Sequence, residues 1–167
     1  MPATFNIAQA CCGAWALEQP DAVAIRWLHE DGRQATLSYG DLQQQANRLS
    51  QALQRRGVRR GDRVAIVMPQ RFETAIAHMA VFQLGAVAMP LSMLFGPDAL
   101  AYRLQHSEAM LAIVDESAIA GLVAARAEAP DLRCVLAVGD AEGQGDLDWT
   151  QALAAESDRF DPVITGA

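Results

Sequence analysis

Leu37-Ser38-Tyr39-Gly40-Asp41-Leu42 opens the stretch that decides the fold of this chain. The stretch continues through Gly57-Val58-Arg59-Arg60-Gly61-Asp62-Arg63-Val64-Ala65-Ile66 and closes with Gln83-Leu84-Gly85-Ala86-Val87-Ala88-Met89-Pro90-Leu91. These three pieces predict, in order, the start of a helix, a buried strand, and a helix end that leads into a second strand. A chain that alternates strands and helices in this way is typical of a parallel sheet.

Ser38 and Asp41 predict the start of the first long helix. Their spacing matches a capping box, in which the hydroxyl bonds the N–H three residues on and the carboxylate reaches back. Apolar residues then recur at helical spacing, at Leu42, Ala46, Leu49 and Leu53. Gly57 ends the helix, because glycine readily takes the left-handed conformation, and Val58 folds back onto the last turn.

The remainder of the chain repeats this strand and helix order. The sequence predicts strands at 63–68, 86–89, 111–114 and 134–138, and helices at 72–82, from 97 through Leu104, and at 116–127. Segments of this length, joined by right-handed crossovers, indicate an α/β fold, a Rossmann-like three-layer sandwich with a mainly parallel sheet.

The two ends of the chain complete the predicted domain. Residues 22–29 and 34–38 form a β-hairpin around Glu30-Asp31-Gly32, a strong turn signal, and we expect this hairpin at the edge of the sheet. Residues 139–148 read as a surface loop and 149–155 as a short helix. We predict one domain over 1–167, with an N-terminal helix, hairpin and capped helix at 6–60, parallel βα units at 61–138, and a loop and short segment at 139–167.

Composition excludes several classes of protein. The 167 residues carry a net charge of −7, which argues against a nucleic-acid surface and therefore against a nucleic-acid partner. No apolar run reaches the roughly 18 residues of a transmembrane segment, and the N-terminus lacks a secretory pattern, so we expect a cytoplasmic protein. Cys11, Cys12 and Cys134 have no disulfide or zinc spacing and read as buried or partly buried free thiols.

The sequence predicts no catalytic residue and no metal ligand. Nucleotide-binding sheets present backbone N–H groups from a glycine-rich turn, whereas Pro69-Gln70-Arg71 follows the first core strand here. Gly139, Gly143 and Gly145 are irregularly spaced among carboxylates that repel phosphate. His29, His78 and His106 are far apart, with nothing to pair them with a nucleophile, and His78 and His106 read as helix-surface residues.

Two motifs resemble the N-terminal part of the adenylate-forming (AMP-dependent) synthetases and ligases. They are Leu37-Ser38-Tyr39 and Phe82-Gln83-Leu84-Gly85-Ala86-Val87-Ala88-Met89-Pro90-Leu91, with Leu84 where many members have alanine. The continuation Phe95-Gly96-Pro97-Asp98-Ala99-Leu100 and Tyr102-Arg103-Leu104 is similar to the acyl-CoA synthetase branch. The resemblance runs from about Asn6 to the C-terminus.

The resemblance implies an enzyme that couples a carboxylic acid to ATP, with Mg²⁺, and transfers the acyl group from the adenylate to coenzyme A. In the family, the phosphate loop, magnesium ligand and catalytic lysine lie downstream of the matched region. Asp161-Pro162-Val163-Ile164 resembles the approach to that loop. The resemblance therefore implies a fragment that is inactive alone and binds no cofactor tightly.

Ser92, Met93 and Leu94 are the only site residues that the resemblance suggests, as a possible loop facing CoA. The family loop contains glycine at this point, and this one does not. A free-standing, non-catalytic α/β binding module with the same fold is the alternative, and the reading frame beyond Ala167 distinguishes the two. A fragment also exposes apolar surface, so we expect self-association, with Ile164 on the candidate face.

Overall fold

The computed structural model describes residues 4–28 and 31–166, which form seven strands and six α-helices. The strands are β1 (Val23–Leu28), β2 (Gln34–Ser38), β3 (Arg63–Val67), β4 (Val87–Pro90), β5 (Leu111–Asp115), β6 (Cys134–Val138) and β7 (Leu147–Asp148). The helices are α1 (Ala14–Glu18), α2 (Tyr39–Arg55), α3 (Phe72–Gln83), α4 (Pro97–Ser107), α5 (Ile119–Ala125) and α6 (Trp149–Ala154). None of the helices within these ranges has the length and apolar character needed to cross a bilayer.

The central sheet confirms the predicted parallel architecture. Its strand order is β4-β3-β5-β6-β7, and every neighbouring pair is parallel. Val64 of β3 is in register with Ala88 on one side and Leu111 on the other. The chain leaves β3 toward β4 and then crosses back to β5, so the direction of winding reverses between β3 and β5. Such a switch point is where open α/β sheets bind ligands.

Helices cover both faces of the sheet, as the sequence predicts. Side chains alternate along a strand, so Val64 and Ile66 join one buried cluster while Ala65 and Val67 join another. The first cluster includes the apolar residues of α2, α3 and α6, and the second those of α4 and α5. The central strands are thus buried on both faces, which explains their unbroken apolar sequences.

The start and end of α2 follow the capping prediction with one difference. Ser38 Oγ accepts a hydrogen bond from the Asp41 N–H at 3.1 Å. The Asp41 carboxylate accepts from the Ser38 hydroxyl at 2.7 Å, instead of reaching the backbone N–H as in a capping box. At the other end Gly57 has φ of 91°, and the Val58 N–H donates to the Leu53 carbonyl at 3.1 Å.

We expect Ser38→Ala to lower the free energy of unfolding by about 1 kcal/mol, because the Asp41 N–H loses its partner. For a chain of this size the melting midpoint falls by about 2–4 °C. Thermal unfolding of Ser38→Ala beside Ser38→Thr, which keeps a capping hydroxyl, measures this. Equal midpoints for the wild type and both variants would contradict the assigned helix start.

The hairpin forms as predicted, but its predicted position is wrong. β1 and β2 pair antiparallel in a two-stranded sheet of their own instead of extending the central sheet. Apolar packing holds this hairpin against the helices: Trp27 contacts Phe72 at the start of α3 edge-on, with ring centroids 5.8 Å apart. Residue 29 of the predicted first strand and residue 30 of the predicted turn lie outside the described residues.

Two further boundaries differ from the prediction. The loop 139–148 contributes a strand, since the Asp146 carboxylate and N–H both bond the backbone of Val135 and so align β7 beside β6. The helix predicted at 116–127 is shorter at its start. The Asp115 carboxylate accepts from the Ser117 N–H at 3.1 Å and holds residues 115–118 in a turn before α5 begins.

Candidate functional site at the carboxyl edge of the sheet

An apolar groove opens at the carboxyl ends of β3 and β4. Its volume is about 750 Å³, within the range of small-molecule sites. One wall is the exposed side of α3, and the other is the loop after β4. The lining residues of this β3–β4 groove are Ile66, Met68, Pro69, Gln70, Thr74, Ala75, His78, Met79, Phe82, Pro90, Leu91, Ser92, Met93 and Leu94.

Ser92, Met93 and Leu94, the site residues predicted from the sequence, lie together on the rim of this groove. Met93 is 39% exposed and Leu94 is 85% exposed. The loop turns back on itself, because Ser92 Oγ accepts from the Leu94 N–H and the Ser92 carbonyl accepts from the Phe95 N–H, both at 3.2 Å. Two large apolar side chains held at an open rim are available for a ligand.

His78 lines the groove, although the sequence predicts that it lies on the solvent-facing surface of its helix. The ring is partly buried, with Nδ1 2.8 Å from the Thr74 carbonyl oxygen and the Phe82 ring 5.9 Å away. Thr74, His78 and Phe82 are four residues apart and therefore lie along one stripe of α3. That spacing is the signal that sequence reasoning missed. His106 does not join them; it stacks on Tyr102 of α4.

A cluster of ion pairs fills the switch point between β3 and β5. The Arg71 guanidinium contacts Glu73 at 2.9 Å, Asp115 at 3.2 Å and Glu116 at 3.5 Å. Asp115 is fully buried and also accepts from the Ser117 hydroxyl at 2.5 Å. The sequence alone reads Asp115 and Glu116 as helix-end carboxylates and does not identify Arg71 as their partner.

The charge of Arg71 is stabilised within this cluster. Burial by itself lowers the pKa of the guanidinium, but the hydrogen bond and charge of Glu73, with Asp115 and Glu116, outweigh burial and raise the pKa. Arg71 and its three carboxylate partners thus lie at the position where other doubly wound sheets bind ligands. Gly139 borders it, and a Cβ there would lie 3.0 Å from Arg71 Nη2.

Two backbone N–H groups, one in the glycine-containing loop after β6 and one in the helix that follows it, donate to carboxylates. The Gly143 N–H donates to the Asp148 carboxylate at 2.6 Å, and the Thr150 N–H donates to Glu142 at 2.9 Å. Carboxylates already take these donors and would repel an anion. Among residues 4–28 and 31–166 no group of three or more His, Cys, Asp or Glu side chains is arranged to hold a metal ion.

The three cysteines are free thiols, and they differ in exposure. Cys12 and Cys134 are buried, whereas Cys11 is exposed, contrary to the expectation of a buried or partly buried thiol at that position. Burial, with a smaller contribution from Cys11, raises the pKa of Cys12 to about 11, and burial also raises the pKa of Cys134. Neither buried thiol is a nucleophile near neutral pH, since the thiolate is the reactive form.

Residues 13–164 match the family model described as AMP-binding enzyme. The chain belongs to the AMP-binding enzyme family. Among curated members of this family, it is 31% identical over 157 residues to an acetyl-coenzyme A synthetase of Alkalilimnicola ehrlichii, covering 88% of this chain and 24% of that protein. It is 38% identical over 119 residues to an acetyl-coenzyme A synthetase of Vibrio cholerae, covering 71% of this chain and 18% of that protein.

Solved structures show the same family architecture. A Brucella canis acyl-CoA synthetase superposes with a TM-score of 0.85 at 27% identity, over 98% of this chain and 30% of that one. An anthranilate CoA ligase in complex with anthranoyl-AMP also gives a TM-score of 0.85, at 19% identity, and supports the fold alone. The chain therefore spans only about a fifth to a third of the length of the relatives named here.

Proposed function

We propose that this chain is the N-terminal part of an AMP-forming acyl-CoA synthetase. Such an enzyme joins a carboxylic acid to ATP, releases pyrophosphate, and passes the acyl group from the adenylate to the thiol of coenzyme A. The observation that carries the proposal is the family match over residues 13–164, with the fold of a solved acyl-CoA synthetase reproduced over nearly the whole chain.

The proposed role of this part is that of a scaffold with one ligand-facing groove. The described residues do not fit ATP and Mg²⁺, because Arg71 at the switch point is already paired with carboxylates and no group of three or more His, Cys, Asp or Glu side chains among these residues is arranged to hold a metal ion. The sequence contains thirteen arginines and no lysine, so another part of the enzyme must supply a catalytic lysine. The remaining part of the enzyme would supply the triphosphate site, the magnesium ligand and the catalytic lysine.

Coenzyme A is the cofactor that this part can contact. We propose that Ser92, Met93 and Leu94 face it, as the motif resemblance implies, and their exposed position on the groove rim supports this role. The net charge of −7 supports a protein without a nucleic-acid partner. A cytoplasmic location is proposed as well, since ATP and coenzyme A are supplied there.

The proposal is tested on the complete product of the gene, read beyond codon 167. We expect the frame to continue into a Thr-Ser-Gly-Thr-Thr-Gly-like run, and the purified product to form acyl-CoA from ATP, CoA and at least one acid in a panel from acetate to aryl carboxylates. A stop codon directly after Ala167, with no acyl-CoA formed, would instead favour the free-standing binding module.

We also expect the 167-residue chain to self-associate through the face around Ile164. This side chain is 72% exposed, and Phe5 and Ile7 nearby in the fold are 44% and 45% exposed. The Thr4 and Gly166 backbones pair beside it, which holds these apolar residues on the surface. Apolar patches of this kind commonly mark contact surfaces.

Light scattering at increasing concentration measures this association. Ile164→Lys should shift the mass toward that of a monomer, because a charge in an apolar contact is costly. The matched control is Val123→Lys on α5, a half-exposed apolar residue on another face, and it should leave the mass unchanged. A monomeric wild type at every concentration would contradict the prediction.

A further inference from the structure

Residues 157–166, which we call the strap, follow α6 and are held by side chains from distant parts of the chain. Among the described residues, 157–165 belong to no helix or strand. Several strap carbonyls nevertheless accept hydrogen bonds, namely those of Ser157, Asp158, Arg159, Val163 and Ile164. The donors are the side chains of Asn6, Asn47, Gln51 and Arg60. An irregular segment whose carbonyls bond protein side chains instead of water is held to one path.

Asn6 uses all of its polar atoms to tie the strap to two helices. Its Nδ2 donates to the Val163 carbonyl at 3.0 Å and to the Phe82 carbonyl, at the end of α3, at 2.9 Å. Its Oδ1 accepts from the Ala8 N–H at 3.0 Å, at the start of the N-terminal helical segment. The Val163 N–H in turn donates to the Gln83 carbonyl at 2.7 Å. The strap is thus bonded on both backbone groups of Val163.

A buried polar network reaches the strap from between α2 and α3. Gln83 is 1% exposed; its Nε2 donates to Ser50 Oγ at 3.1 Å, and its Oε1 accepts from Gln43 at 3.2 Å. Gln43 also donates to Asn47 Oδ1 at 2.7 Å, and Asn47 Nδ2 donates to the Asp158 carbonyl at 2.7 Å. Apolar side chains would suffice to pack two helices together. A satisfied polar network instead specifies one arrangement, and this one includes the strap.

The strap ends at the amino edge of the central sheet. A Cβ on Gly85 would lie 3.1 Å from Thr165 Cγ2 and 3.5 Å from Val163 Cγ1, so the strap lies directly on the turn between α3 and β4. That turn precedes β4, the first strand in the sheet order. Arg71 and the β3–β4 groove lie at the opposite, carboxyl edge. Polypeptide that follows the strap along β4 would therefore reach the carboxyl edge from a starting point that the strap sets.

We infer that the strap fixes the path of the polypeptide into the triphosphate site, and that Asn6, Asn47 and Gln51 are positioning residues for ATP. This inference rests on the proposed function, in which the rest of the enzyme follows the strap and supplies that site. The three side chains act through the strap carbonyls and do not touch ATP. Their effect on catalysis follows because a displacement of about 1 Å in a catalytic site can cost roughly 100-fold in rate.

The first test measures amide hydrogen exchange in the 167-residue chain. The Val163 N–H reports on the strap, and the amides of β5 report on the core. Asn6→Asp keeps an oxygen for the Ala8 N–H but has no N–H for the strap. We expect the Val163 amide to exchange about tenfold faster in this variant, which corresponds to one lost hydrogen bond, with exchange in β5 unaltered.

The second test measures KM values in the complete gene product. Gln51→Glu and Gln144→Glu form a matched pair, because each converts an amide that donates to a backbone carbonyl into a carboxylate. Gln144, however, bonds Asp140 in the loop before β7 and not the strap. Asn6→Asp and Gln51→Glu should raise the KM for ATP about five- to tenfold and leave the KM for CoA within about twofold. Gln144→Glu should change neither value; melting midpoints check that each variant is folded.

Two kinds of result would overturn the inference. Fast exchange of the Val163 amide in the wild type, or equal exchange in Asn6→Asp, would refute a fixed path for the strap. KM values for ATP and CoA that rise together, or a KM for ATP unaltered in Gln51→Glu, would refute the positioning role. Absence of ligase activity in the wild-type complete product would refute the proposed function and with it any role toward ATP, while exchange at Val163 still decides whether the strap is fixed.

Discussion

Arg71→Leu is expected to lower the free energy of unfolding by about 3–5 kcal/mol. The variant leaves the Asp115 carboxylate fully buried and without its cation, although the bonds from Ser117 remain. It also leaves Glu73 and Glu116 facing the same crevice, so like charges meet where a guanidinium stood. Urea denaturation followed by circular dichroism measures the loss.

A double variant tests whether the stability lost in Arg71→Leu comes from the ion pair of Arg71 with Asp115. Arg71→Leu combined with Asp115→Asn removes both charges, and we expect it to recover at least half of the stability lost in Arg71→Leu. Arg33→Leu is the matched control, because the pair of Arg33 with Asp31 is largely exposed and contributes under about 1 kcal/mol. A loss in Arg71→Leu no larger than in Arg33→Leu would refute the buried cluster as a stabilising element.

Most of the fold could be predicted from the sequence because local signals agree with long-range packing. Ser38 and Gly57 mark the ends of α2 through backbone chemistry that acts within a few residues. β3, β5 and β6 are short apolar runs because both of their faces are buried. Each of these features is local and needs no knowledge of the neighbouring strand.

The errors fall where placement depends on distant contacts. The turn signal of the hairpin predicts that β1 and β2 pair, but nothing local places Trp27 against Phe72 instead of at the edge of the central sheet. β7 has only two residues, and its pairing with β6 depends on the Asp146 contacts to Val135. Acidic and glycine residues in that segment favour a loop in any local reading.

In the candidate site, too, local sequence signals predict some features, whereas others depend on contacts between distant residues. The family resemblance predicts that Ser92, Met93 and Leu94 face a ligand, and the three residues lie on the rim of a groove. Arg71 and Asp115 are 44 residues apart, and only the order of the strands brings their carboxyl ends together. His78 lies between Thr74 and Phe82 on one stripe of α3, and its polar side chain reads as solvent-facing in the sequence, although the ring is partly buried.

We propose above that this chain is a non-catalytic part of an acid-activating ligase. Forming an acyl-adenylate requires a site that holds the triphosphate and neutralises the charge that develops on it. Among the described residues, Arg71 is paired with three carboxylates, and the Gly143 N–H donates to the Asp148 carboxylate. The whole sequence contains no lysine. We therefore expect the 167-residue chain alone to show no exchange of pyrophosphate into ATP.

The decisive experiment is acid-dependent exchange of labelled pyrophosphate into ATP, measured side by side on the 167-residue chain and on the complete gene product. A mock purification from the same host corrects for the host's own synthetases. We expect exchange above this blank for the complete product with at least one carboxylic acid, and none for the 167-residue chain. Exchange by the 167-residue chain alone would refute its non-catalytic role, and no exchange by either protein would refute the proposed ligase activity.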